Sequence, residues 1–505
     1  MSSHTPTSGA RQQRRRRPNQ TTGQSSGQTT GQTTGQKSSA VVSITDDEVD
    51  APDVDDTVDF GELGVPAALV AALARTGVTS AFPIQARTLP DSLAGRDVLG
   101  RGKTGSGKTI AFALPTIIAL SRSDKRRQPT QPRSLILVPT RELANQVAAT
   151  LQPLAQATGM LVTTIFGGVG QGPQVAALKH GVDIVVACPG RLEDLIGQGK
   201  CRLDKVEVTV LDEADHMADL GFLPAVKRIL DATPQGTQRL LFSATLDKGI
   251  DGLVRRYLVD PVVHSVNPAV SPVETMTHHV LATAVADKLE VVTAIASGMD
   301  RSLLFTRTKH GAKKLAKQLS AAGIPAVELH GNLSQNARER NLASFSDGST
   351  RVLVATDIAA RGIHVDEIAL VVHVDPPAEH KAYLHRSGRT ARAGASGVVI
   401  TVMTPDQVND VRALARAASI EPLITRVTGS HPFLGELAGP PAPRVKSTVV
   451  AAAPQQQQRS GAPRQGAPRQ GAPRQGAPRQ GGSRSGTGAG ASRRQGAPSG
   501  RRRAV

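Results

Sequence analysis

Between roughly residues 60 and 430 the chain alternates short apolar runs with stretches of helical periodicity. The runs Leu135–Val138, Val162–Phe166, Ile184–Ala187, Val208–Leu211 and Leu240–Phe242 are mostly apolar, broken only by threonines. Such runs suit strands covered on both faces, as in parallel sheets. Past Pro261 the pattern restarts with Leu303–Phe305, Ala326–Leu329, Val352–Ala355, Val371–Val374 and Val398–Val402. Strands separated by helical segments predict an α/β protein with parallel sheets. The stretch Asn267–Thr275, with Pro268 and Pro272, reads as a joint. The predicted domains are therefore 60–265 and 277–428, joined by a linker at 266–276.

The flanks carry no such pattern. Residues 21–36 read TTGQ SSGQ TTGQ TTGQ, and 461–480 repeat GAPRQ four times. Neither repeat can offset its ordering entropy by burying apolar surface. Residues 1–45 and 429–505 are predicted to be disordered basic tails, with an acidic linker at 46–59.

Composition sharpens this picture. The 505 residues hold 60 Lys or Arg against 42 Asp or Glu, a formal charge of +18. Residues 1–45 carry six bases and no acid, 46–62 nine acids and no base, and 441–505 thirteen bases and no acid. Basic ends suggest a polyanionic partner, nucleic acid first. Residues 441–505 contain no aromatic residue, so they read as a sequence-blind tether rather than a base-stacking platform. Two cysteines, Cys188 and Cys201, exclude a disulfide scaffold and suit a reducing cytoplasm. No apolar run is long enough to cross a membrane, and the N-terminus has no apolar secretory core.

Two motifs carry chemistry. Gly102-Lys-Thr104-Gly105-Ser106-Gly107-Lys108-Thr109 fits G-x-x-x-x-G-K-[ST]. Its glycines let backbone N–H groups wrap phosphates, Lys108 reaches the β/γ-phosphates, and the Thr109 hydroxyl can meet Mg²⁺. A short strand at Asp97–Gly100 and an apolar helix at Ile110–Leu120 are the flanks such a loop needs. The second motif is Asp212-Glu213-Ala214-Asp215, at the end of the strand Val208–Leu211. Asp212 there can help hold Mg²⁺, and Glu213 can deprotonate an attacking water.

On these residues the chain resembles the DEAD-box ATP-dependent RNA helicases, over about residues 60–425. Phe305–Gly311 and Val354–Gly362 are most similar to the bacterial RhlE-like branch. The resemblance implies two tandem RecA-like domains that close over ATP, Mg²⁺ and RNA. It implies base contacts from Gln85, in Phe82-Pro-Ile-Gln85, and from Phe60 as the isolated upstream aromatic. Arg389 and Arg392 become arginine fingers on the γ-phosphate, and Asp357 a ribose contact. Ser243, Thr245 and His385 become coupling residues between nucleotide and RNA. Pro139, Thr140, Arg141, Gly167, Gly168, Pro189, Gly190, Arg191, Gln335, Arg338 and Thr356 become RNA contacts, to the sugar–phosphate backbone with little sequence preference. Ribosomal precursor particles or RNA-degradation machinery are implied as wider partners.

Several positions depart from the family's usual residues. Val78 and Ala81 replace an aromatic and a proline, Cys188 a threonine, His364 an aspartate and Ala391 a glycine; Ser387 also differs. Two other readings remain open at this stage: a DNA translocase on the same fold, and a non-enzymatic RNA-annealing protein acting through its basic ends.

Overall fold

The computed structural model describes residues 58–102, 105–245, 248–266, 276–360, 368–391 and 397–445. Thr104, His364, Arg392, most of the linker and most of both tails lie outside these residues.

The described chain builds two seven-stranded sheets. The first holds β1 (Val98–Arg101), β2 (Ser134–Leu137), β3 (Val162–Ile165), β4 (Ile184–Ala187), β5 (Val208–Leu211), β6 (Gln238–Ser243) and β7 (Val262–Ser265). Their order across the sheet is β3-β4-β2-β5-β6-β1-β7, and each neighbouring pair is parallel. The second holds β8 (Met276–Ala282), β9 (Ser302–Phe305), β10 (Ala326–Leu329), β11 (Val352–Ala355), β12 (Leu370–His373), β13 (Gly397–Met403) and β14 (Leu423–Arg426). Their order is β10-β11-β9-β12-β13-β8-β14, again all parallel.

The apolar runs explain the layering. Successive strand residues point to opposite faces. Ile136 and Ile184 therefore join one buried cluster, while Leu135 and Val185 join another across the sheet. In the second sheet Leu304 packs on one side and Leu303 and Phe305 on the other. Helices connect the strands and cover both faces, which leaves the strand ends as the place for ligands.

The boundaries differ from the sequence reading in two places. Met276, placed in the linker, opens β8. Residues 429–445, placed in a tail, pack on the second sheet's domain. The helix Phe433–Ala438 buries Leu434, the Met299 amide donates to the Pro440 carbonyl, and the Val445 amide donates to Gly323. Phe433, Leu434 and Leu437 supply the apolar anchor that the Gly-Pro-Pro run after them hides.

Candidate functional site

The phosphate loop leaves the end of β1 and enters the helix Lys108–Arg122. Gly105 and Gly107 have φ of +92° and +88°, which side chains disfavour. A Cβ on Gly107 would also run into Gln85 and Phe82 at 2.5 Å. Lys108 is buried and donates from Nζ to the Gly102 carbonyl at 2.6 Å, bridging the loop from end to start. The buried Ser106 Oγ has no hydrogen-bond partner. The first N–H groups of the helix lack intrahelical partners, so the loop is built to receive an anion.

The two residues assigned to a base sit differently from expectation. Phe60 is 0% exposed, within the cluster of Val65, Leu69 and Leu73, so it offers no face for stacking. A large aromatic in a chain this poor in them is taken by the core. Gln85 is also fully buried. Its Oε1 accepts from the Phe82 amide at 2.9 Å and its Nε2 donates to the Gly107 carbonyl at 2.8 Å. Its amide braces the phosphate loop rather than facing an open pocket. The exposed aromatic at this loop is Phe82, at 56%.

The acids stand at the end of β5. Asp212 accepts from the Glu213 amide at 3.0 Å. Burial pushes the Asp212 carboxyl up, against the opposing charge of Lys108. Burial also acts to raise Glu213, but the hydrogen bond and charge of His216, with Lys108 and Arg389, outweigh it and hold the carboxyl down. Glu213 adopts φ +50°, ψ +52°, a left-handed conformation that costs a side-chain-bearing residue about 1–2 kcal/mol. Among the described residues no group of three or more His, Cys, Asp or Glu is placed to hold a metal. A Mg²⁺ ion bound through Thr109, Asp212 and phosphate oxygens needs no such group, and a buried carboxyl at the phosphate loop fits it.

Ser243 and Thr245, at the end of β6, tie to the acids. The Ser243 Oγ accepts from the Asp215 amide at 3.3 Å and donates to the Thr245 carbonyl at 2.7 Å. Thr245 donates to Asp215 Oδ2 from its amide at 3.0 Å and its hydroxyl at 3.1 Å. Movement at this segment therefore reaches the acid cluster directly.

The motifs assigned to RNA follow β2, β3 and β4, along the same edge. The Thr140 hydroxyl caps the helix Arg141–Ala157 by accepting from the Leu143 amide at 3.3 Å. Arg141 lies over Gly168, where a Cβ would come within 2.0 Å of its guanidinium. Arg191 donates to the Val169 carbonyl at 3.3 Å, and Pro189 and Gly190 begin its helix. Gly167, Gly168 and Gly190 leave the backbone approachable from outside. Burial pushes the Cys188 thiol up to about 12, with the Glu142 charge adding to it, so it is no nucleophile.

Gln335 and Arg338, expected as RNA contacts, are not on an open surface here. They are 3% and 8% exposed and meet the first domain. Arg338 Nε donates to Glu142 Oε1 at 2.8 Å, Gln335 Nε2 to the same oxygen at 3.2 Å, and Arg141 Nη1 to Gln335 Oε1 at 3.2 Å. Burial alone would push the Glu142 carboxyl up, but Arg338 outweighs it and lowers it. Four side chains thus form a polar clasp between the two sheets' domains.

In the second domain Thr356 and Asp357 follow β11. The Thr356 amide donates to the Leu329 carbonyl at 3.2 Å, and its carbonyl starts the short helix Asp357–Ala360. Both Asp357 oxygens accept from Arg386, at 2.5 and 2.7 Å. Arg386 also lies 5.0 Å from the Phe305 ring centroid. A ribose contact by Asp357 must share the carboxylate with this arginine. His385, Arg386 and Arg389 line one small cleft with Asp357. Arg389 is buried, with Nε donating to the His385 carbonyl at 3.3 Å, and its charge acts on Glu213.

Ala391, the replacement for a glycine, sits at φ +53°. A left-handed alanine carries strain of about 1 kcal/mol, so Ala391→Gly is expected to raise stability by up to about that amount. Thermal unfolding of the two proteins measures it, and a lower midpoint for the glycine variant contradicts the strain.

The sequence reading missed four residues. His216 meets Glu213 from three positions along, Glu142 anchors the clasp, Arg386 holds Asp357, and Phe82 replaces Phe60 as the exposed ring. Glu142 directly follows Arg141 and Arg386 directly follows His385, and only burial reveals their partners.

Residues 82–253 match the DEAD/DEAH box helicase family, and residues 287–394 the helicase conserved C-terminal domain. DEAD-box ATP-dependent RNA helicase 30 of Arabidopsis thaliana is 37% identical over 361 residues, 71% of this chain and 61% of the relative. ATP-dependent RNA helicase RhlB of Pseudomonas aeruginosa is 39% identical over 354 residues, 69% of this chain and 89% of the relative. The structure of Saccharomyces cerevisiae Dbp5 bound to RNA and ADP BeF3 has a TM-score of 0.64 at 27% identity, covering 75% of this chain and 100% of that one. The chain spans 45–61% of the length of the first plant and amoebal relatives.

Proposed function

The chain belongs to the DEAD-box family of ATP-dependent RNA helicases, and from that premise we propose that it couples ATP hydrolysis to local opening of RNA duplexes or remodelling of RNA–protein complexes. The observation that carries the reading is the contact between the domains: Arg338 and Gln335 of the second donate to Glu142 of the first at 2.8 and 3.2 Å, and the charge of the buried Arg389 acts toward Glu213. One site then draws its parts from both domains, so hydrolysis depends on closure.

The roles divide by place. The glycine loop and Lys108 hold the phosphates; Thr109 and Asp212 hold Mg²⁺, which would neutralise charge on the phosphate oxygens. Glu213 orients and deprotonates the water. Arg389, with Arg392, meets the charge developing on the transferred phosphoryl group. Arg141, Arg191 and the glycines after β3 and β4 meet the RNA backbone, where N–H groups and guanidinium groups suit phosphates. Ser243, Thr245 and His385 transmit between the two. Binding along the backbone reads little sequence, which suits broad targets such as ribosomal precursors or decaying transcripts. Buried free thiols at Cys188 and Cys201 suit a reducing cytoplasm, and no helix of the described residues is long and apolar enough to cross a membrane.

The test is ATP hydrolysis by the full chain with RNA, with single-stranded DNA and with neither. RNA alone should stimulate turnover. Equal stimulation by DNA turns the reading to a DNA translocase; annealing of RNA without any turnover turns it to a passive RNA-binding protein.

The nucleotide base gives a narrower prediction. Base–aromatic stacking is worth about 1–3 kcal/mol, so Phe82→Ala is expected to weaken ATP binding roughly tenfold or more. Phe60→Leu should lower stability instead and leave ATP affinity nearly unchanged. Calorimetric titration with a non-hydrolysable ATP analogue separates the two; the opposite pattern restores Phe60 as the stacking residue.

A further inference from the structure

The imidazole of His216 is the unassigned titratable group nearest the chemistry. Its side chain is 8% exposed, and its Nδ1 lies 3.1 Å from Glu213 Oε2. The ring is held from its own backbone too: the His216 amide donates to Asp215 Oδ1 at 3.0 Å, within the helix Ala214–Asp219. The Nε2 side is buried with no partner, so Nδ1 is the nitrogen that carries the contact. Lys108 and Arg389 act on Glu213 through their charge, whereas His216 fixes one oxygen in space.

We propose that His216 is a positioning residue for hydrolysis: its Nδ1–H anchors Glu213 Oε2 and so fixes the carboxylate that meets the attacking water. This inference rests on the reading of Glu213 as the base. A glutamate has three side-chain torsions, and the left-handed backbone at Glu213 sets only where the side chain starts. An anchor on one oxygen removes the remaining freedom. Small misplacements of a catalytic group lower rate far more than they lower binding.

Three variants of the full chain test it. His216→Leu keeps the bulk and removes the donor. His216→Asn places an amide N–H near the position of Nδ1, and His216→Gln places it near that of Nε2. In RNA-stimulated ATP hydrolysis the leucine variant is expected to lose about tenfold or more in kcat, with KM for ATP and RNA affinity within about threefold. The asparagine variant should recover most of kcat and the glutamine variant little. Unchanged kcat in His216→Leu overturns the proposal, as do asparagine and glutamine variants of equal rate. Should the leucine variant fail to fold, the asparagine–glutamine pair still decides. Wild-type protein without RNA-stimulated turnover, or Glu213→Gln with normal turnover, removes the parent reading instead. An active wild type, an inactive Glu213→Gln and an unaffected His216→Leu remove only this inference.

Discussion

Arg389→Ala is expected to lower RNA-stimulated ATP turnover by about 10³–10⁵, the range for loss of an arginine finger in phosphoryl transfer. The phosphate loop, Lys108 and Asp212 all belong to the first domain, so ATP should still bind. Arg389→Lys should recover little, because an ammonium is a point donor and cannot span two oxygens as a guanidinium fork does. Arg389 is buried, and truncation leaves space beside His385, so melting should be recorded with the kinetics. The result that contradicts the role is near-normal turnover in a folded alanine variant. Equal loss of ATP affinity and rate would place Arg389 in ground-state binding instead.

Glu213→Gln is expected to cost about 10²–10⁴ in turnover, the usual contribution of a general base. The amide is nearly isosteric and its oxygen can still accept from His216, so the site's shape should hold. Removing a buried negative charge also relieves its repulsion with Asp212. ATP and RNA should therefore stay bound together for longer than in the wild type. Single-turnover hydrolysis and RNA dissociation in the presence of ATP measure both halves. A variant that turns over normally, or that releases RNA as fast as wild type does, contradicts this role for Glu213.

The interior of the fold was readable because buried parallel strands write themselves as apolar runs. All the runs named beforehand coincide with strands or overlap them closely. The strands missed are of another kind. In β7, Val263 is 45% exposed, and in the outermost β14, Leu423 is 63% exposed. In β8, two adjacent histidines, His278 and His279, interrupt the pattern, although both are buried. The site divides the same way. The phosphate loop and Asp212–Glu213 are local sequences whose chemistry follows from their own spacing. Phe60, Gln335 and Arg338 depend on what another segment brings to them, and no spacing encodes that. Ala391 lies between: its departure from glycine was visible, and its φ shows what the departure costs.

The clasp of Arg141, Glu142, Gln335 and Arg338 bears on the poise of the whole machine. Desolvating a carboxylate and a guanidinium costs about what their attraction returns, so a buried ion pair adds little net stability. An apolar seam of similar size would glue the domains shut. An ionic one lets them part, because each charge regains its water on opening. The two arrangements then differ little in free energy, and a ligand with modest preference decides between them. Moving such a balance from 1:99 to 99:1 takes about 5.5 kcal/mol of differential binding, which a nucleotide and an RNA strand can share. Under the proposed function, strength in the clasp would be a defect: a joint that opens once per cycle works best when it contributes specificity of fit and almost no adhesion.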